Sequence, residues 1–90
     1  MTTYTKKVTI KYASNEDRGG NPDSAFSEER FQKGEEMVAA GKADSIVTLG
    51  NLTAARKFIN QAAAEEYLNF VLASAQTHGV TIVESGITDC

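Results

Sequence analysis

Residues 53 to 76, TAARKFINQAAAEEYLNFVLASAQ, decide what this chain can become. They are so rich in alanine and other good helix formers that one long helix is a real reading. Periodicity supports another. Ala64, Tyr67, Leu68, Val71, Leu72 and Ala75 fall on one helical stripe, but carried backwards that stripe meets Gln61, Asn60 and Lys57, all polar. It therefore starts near residue 62, with Asn60 as the cap of a separate helix. LTAARKFI, residues 52 to 59, is then left as a strand.

The flanking segments favour the broken form. YTKKVTIKY, residues 4 to 12, sets Val8, Ile10 and Tyr12 on one face and Lys7, Thr9 and Lys11 on the other, the pattern of a half-buried strand. A first helix is expected to start at Ser27 as its cap, with Phe26 stapled to Phe31 and Gly41 at its end. Its apolar stripe is thin, resting on Phe31 and Val38 with Gly34 between them. A helix-interior glycine costs about 1 kcal/mol against alanine, so Gly34 implies a close neighbour, expected to be another backbone. ADSIVTL and LTAARKFI read as strands around a Gly-Asn turn. The second helix ends at Gly79, with His78 in its last turn, and VTIVESGI closes the chain as a strand with Gly86 as a candidate bulge.

The order β, α, β, β, α, β predicts an α+β chain of ferredoxin-like βαββαβ type, a four-stranded antiparallel sheet with two helices on one face. Thr5, Lys7, Thr9 and Lys11 fall on the bare face, joined by Val83 and Ile46 if the register allows. Ninety residues give a small core, so a homodimer paired through that face is expected. In the third strand either register turns Arg56 or Lys57 inward, which requires a bulge or a snorkelling side chain.

With 41% apolar and 23% charged residues, the chain reads as a single globular domain over 1–90. No apolar run reaches spanning length, and MTTYTKKVTI lacks the features of a signal peptide, so a cytoplasmic protein is expected. The lone Cys90 fits a reducing compartment. Net charge is −3, which argues against a general attraction to nucleic acid, and the uneven distribution, lysines early and acids late, reads as a pair of solvated faces or as a guide for two copies to approach in a defined orientation.

Little catalytic chemistry is visible. One histidine and one cysteine exclude a histidine metal cage, a cysteine-rich zinc site and a C-x-x-C redox pair, so neither metal, cofactor nor catalytic residue is assigned. ASNEDRGGNPDSAF, residues 13 to 26, matches neither a calcium hand nor a phosphate loop and reads as a mobile spacer, although Arg18 beside Gly19 and Gly20 could hold an anion. The pairs Glu28/Glu29, Glu35/Glu36 and Glu65/Glu66 are ordinary helix-surface charges. Arg56, Lys57 and Phe58 lack the aromatic pattern of an RNA-recognition strand, leaving weak nucleic-acid binding along Lys7, Lys11 and Lys57 as a minor reading. Candidate binding groups are Tyr12, Arg18, Arg56 and His78. Tyr67 reads as core, and Phe70, on the flank of its stripe, is either covered by the other helix or exposed at a contact.

Arg56 to Phe58, Glu65 to Tyr67 and Gly79, within residues 55 to 87, carry a resemblance to small uncharacterised proteins of marine bacteriophages and environmental sequences. In these an Arg-x-Phe strand leads into an alanine-rich helix, a glycine and a closing strand. The resemblance implies no activity. It supports the break after Phe58 and a viral origin. A non-enzymatic, homodimeric interaction or accessory protein is therefore expected. The alternative is a small-molecule site, either an ACT-like regulatory module or a dimeric α+β-barrel enzyme.

Overall fold

Alternation in the first strand is realised as written: in β1 (Lys6–Tyr12), Val8, Ile10 and Tyr12 are all buried. A computed structural model of the chain describes residues 3–20 and 24–90. After β1 come one wide, π-type turn (Glu16–Gly20), α1 (Ala25–Ala39), β2 (Ala43–Leu49), β3 (Thr53–Phe58), α2 (Gln61–Thr77) and β4 (Ile82–Asp89). The chain does break at Asn60. Its backbone is extended and its side chain accepts from the Ala63 N–H at 2.9 Å, which satisfies an amide that the first turn leaves free.

The strands lie in the order β2-β3-β1-β4 and every neighbouring pair is antiparallel. With both helices packed on one face, this is the ferredoxin-like arrangement. The core between the layers is built on Val8, Ile10, Tyr12, Phe26, Met37, Phe58, Tyr67 and Val71. Among the described residues, no helix is long and apolar enough to cross a membrane.

Register settles which basic residue of β3 turns inward. Val8 stands opposite Arg56, which stands opposite Val47, and Ile10, Ala54 and Leu49 form the next row. Arg56 therefore joins the helix-facing side with Val8 and Ile10, and Lys57 joins the bare side. The bare side carries the rows Thr88-Lys7-Lys57, Gly86-Thr9-Ala55 and Glu84-Lys11-Thr53. The β4 bulge is at Val83, not Gly86: Lys11 pairs with Glu84 and Tyr12 with Ile82, while Gly86 stays in register opposite Thr9. The hairpin also turns one residue later than expected. Gly50 and Thr53 exchange both backbone hydrogen bonds, at 3.0 and 3.4 Å, so the two-residue turn is Asn51-Leu52, with Leu52 at φ 64°.

The largest correction concerns α1. It is capped by Ser24, whose hydroxyl accepts from the Ser27 N–H at 3.1 Å, so Ser27 lies inside the first turn. The buried positions are Phe26, Ser27, Gly34 and Met37, and Phe31 is 64% exposed. The inward stripe is thus Phe26, Arg30, Gly34 and Met37, at spacings of four, four and three. Choosing apolar residues alone had rotated the helix toward Phe31. The expected spacer, residues 13 to 26, is shortened at its far end by α1 and contains a regular turn of its own. Its Glu16–Gly20 turn is anchored by Asp17 N–H and Arg18 N–H on Ser14. Asn21 and Pro22 lie outside the described residues.

Candidate functional site

The stripe that turns Arg30 inward and the register that turns Arg56 inward aim both side chains at the space between α1 and the sheet. A cleft of about 150 Å³ opens there toward the β2 edge. Its floor is Val8, Ile10 and Ala54. Arg18, Arg30 and Arg56 reach into it with Tyr12 and Tyr67, and Phe31, Val47 and Leu49 form the mouth. Among the described residues no carboxylate pairs with any of the three guanidiniums.

The three arginines are held differently. Arg30 donates from Nη1 to the Tyr12 hydroxyl at 2.9 Å and to the Asp17 carbonyl at 3.5 Å, with its guanidinium 5.3 Å from the Tyr12 ring centre and 5.0 Å from that of Phe26. These rings supply a cation-π seat that needs no counter-charge. Arg18 donates from Nη1 to the Gly50 carbonyl at 3.1 Å, tying the π-type turn to the β2-β3 hairpin, while its Nε is buried without a partner among the described residues. Arg56 stands 5.8 Å from the Tyr67 ring centre, and both its Nε and its Nη1 are buried with no acceptor among the described residues. Unfilled donors on a buried cation are costly, which makes Arg56 the least satisfied group of the cleft.

Gly34 explains how Arg56 fits. A β-carbon at residue 34 would overlap Arg56 Nη1 and stand 3.0 Å from Cζ and 3.2 Å from Nη2. The close neighbour that this glycine implied is therefore a guanidinium, not a backbone. Alanine in the helix would push the arginine out of its present place.

Both phenols stay protonated. Burial pushes the Tyr12 hydroxyl above its ordinary range, partly offset by the charge and hydrogen bond of Arg30, and burial does the same at Tyr67, partly offset by Arg56. The described lining contains no carboxylate, imidazole or thiol. The cleft can donate hydrogen bonds and attract negative charge, but it holds no base that could remove a proton.

Of the residues nominated from sequence, Tyr12, Arg18 and Arg56 meet in this cleft. His78 does not. It forms the C-cap of α2, and its Nε2 lies 2.6 Å from Glu29 Oε2 while Ser74 donates to Glu29 Oε1 at 3.1 Å. The His78 hydrogen bond, more than that of Ser74, holds the Glu29 carboxyl below its ordinary range. This set is not a hydrolytic triad, because the carboxylate stands between hydroxyl and imidazole, where a triad needs the imidazole. It clamps α1 to the end of α2. Among the described residues no group of three metal-ligating side chains forms.

Phe70 is half-buried, with the Lys33 ammonium 5.5 Å from its ring centre, so the neighbouring helix covers part of it. Sequence reading missed Arg30, whose signal was its spacing of four from both Phe26 and Gly34. It also took Tyr67 as core only, although the ring both fills the core and lines the cleft. No protein-family model, curated protein or solved structure matches this chain.

Proposed function

We propose that this protein is a non-catalytic binding module for a small organic anion, held in the cleft between α1 and the sheet. The observation that carries the reading is Arg56: a guanidinium placed against a helix glycine, with two buried nitrogens lacking acceptors. Arg18 and Arg30 add positive charge from two other elements, so an anion in the cleft would meet charge on several sides. Binding is favoured over catalysis because two protonated phenols and three guanidiniums can hold an acid but cannot activate a nucleophile. It is favoured over the protein-contact role because the bare sheet face presents mostly lysines and threonines, and the exposed Ile46 and Val83 stand apart on the two edge strands rather than forming one apolar patch.

The test is calorimetric titration of the whole chain with acetate and with inorganic phosphate, on the wild type and on Arg56→Met. Methionine keeps the apolar stem and removes the unpaired charge. The variant is expected to match or exceed the wild type in stability, by about 1 kcal/mol or more, and to lose anion binding at least tenfold. Equal anion affinity in the two proteins, or no binding of either anion to the wild type, would refute the reading.

A further inference from the structure

The mouth of the cleft identifies the ligand more closely, on the premise that the cleft binds an anion. About 150 Å³ is roughly half the ~300 Å³ at which sites for drug-sized molecules begin, so the enclosed part takes little more than a head group. The remainder of any ligand must lie on the rim. That rim is apolar: Phe31, Val47 and Leu49 are 64%, 39% and 59% exposed, and all three border the cleft. They come from both layers of the molecule, one from α1 and two from β2.

Register gives the direction. Val47 lies beside Arg56 in its cross-strand row, and Leu49 beside Ala54 in the next. Adjacent strands are about 5 Å apart, so a head group at Arg56 sends its tail outward over Val47 and Leu49, beneath Phe31. Donor supply selects the head group. Arg18 and Arg30 already spend donors on the Gly50 carbonyl, the Tyr12 hydroxyl and the Asp17 carbonyl, while the floor around Arg56 is aliphatic. A phosphate dianion would press several charged oxygens against Val8, Ile10 and Ala54. The two oxygens of a carboxylate need far fewer donors.

We infer that the cleft takes a monocarboxylate bearing an unbranched apolar chain, a short free fatty acid, with the carboxylate at Arg56 and the chain across Val47, Leu49 and Phe31.

The experiment titrates the whole chain with acetate, butanoate, hexanoate, inorganic phosphate and 1-hexanol, following the amide resonances of Gly34 and Val47. Affinity is expected to rise about three- to fourfold per methylene from acetate to hexanoate, with phosphate and 1-hexanol both weaker than hexanoate. Phe31→Gln, at an exposed position that should not disturb folding, is expected to flatten the series. An acetate that binds with no gain on chain extension, or a phosphate that binds more tightly than hexanoate, overturns the fatty-acid assignment and leaves the anion module standing. If 1-hexanol binds as well as hexanoate, or no anion moves either resonance, the anion reading itself falls and the assignment falls with it.

Discussion

Gly34 and Arg56 are one decision made twice in the sequence, once in a helix and once in a strand. Each alone breaks a local rule: glycine weakens a helix interior, and an arginine facing the core leaves donors unfilled. Together they are coherent, because the missing β-carbon is the space that the guanidinium occupies. Gly34→Ala is therefore expected to raise the unfolding free energy by up to about 1 kcal/mol through helix propensity, since the displaced group is the mobile end of a side chain. The same change should weaken anion binding at least tenfold. Urea denaturation and calorimetry on one sample check both; a loss of stability would mean that Arg56 cannot move aside. Part of this was legible. The glycine announced a close approach and Arg56 an inward charge, but nothing in a linear sequence states that two residues 22 positions apart share a volume. Only the register of β3 on β1 joins them.

Among the elements, β1 and the second helix are readable because their side chains obey a single period, whereas β4 bulges at Val83 and β2 shifts register between Ala43 and Val47. β2 over Ala43–Leu49, the cap at Asn60 and the end at Gly79 all follow from local chemistry. α1 was misread by about one step around its axis because its inward stripe includes an arginine and a glycine, which a search for apolar residues passes over. Its true start is testable. Ser24→Ala should cost about 1 kcal/mol, because the Ser27 amide loses its acceptor. Ser27→Ala should cost nothing or stabilise slightly, since the Ser27 hydroxyl is buried without a partner; the opposite ranking in thermal melts would restore Ser27 as the cap. Helix docking also has a pH signature. Glu66 accepts from Lys33 at 3.0 Å and Lys42 at 3.3 Å, linking α2 to α1 and to the start of β2, and those contacts, Lys33 first, hold its carboxyl below the ordinary range. A lowered carboxylate contributes stability above its unfolded value and loses it as pH falls through the folded one, so this contribution should fade below about pH 4. Glu66→Gln should thus be less stable than wild type near neutral pH, with a smaller deficit at about pH 3. Urea midpoints at the two pH values check the sign, and a deficit that persists undiminished in acid would assign the effect to packing.

At the scale of the whole molecule, the two faces of the sheet differ in what they can bury. The helix-facing side takes the core and the cleft. The bare side carries Lys7, Lys11 and Lys57 against Glu84, with threonines, alanine and a glycine between them. The homodimer anticipated from the small core would have to form there with few apolar groups. A two-fold stack of that face sets three ammonium groups of each copy near three of the other, with one carboxylate each to offset them. Such repulsion acts over a Debye length, about 10 Å at 0.1 M salt and about 3 Å at 1 M. Association through the bare face is therefore expected to strengthen as salt rises, and Lys7→Thr together with Lys57→Thr should strengthen it at low salt. Sedimentation velocity across protein concentration at low and high ionic strength measures this directly. If self-association weakens with salt, attraction between opposite charges drives it, and the contact lies on some surface other than the lysine-bearing side of the sheet.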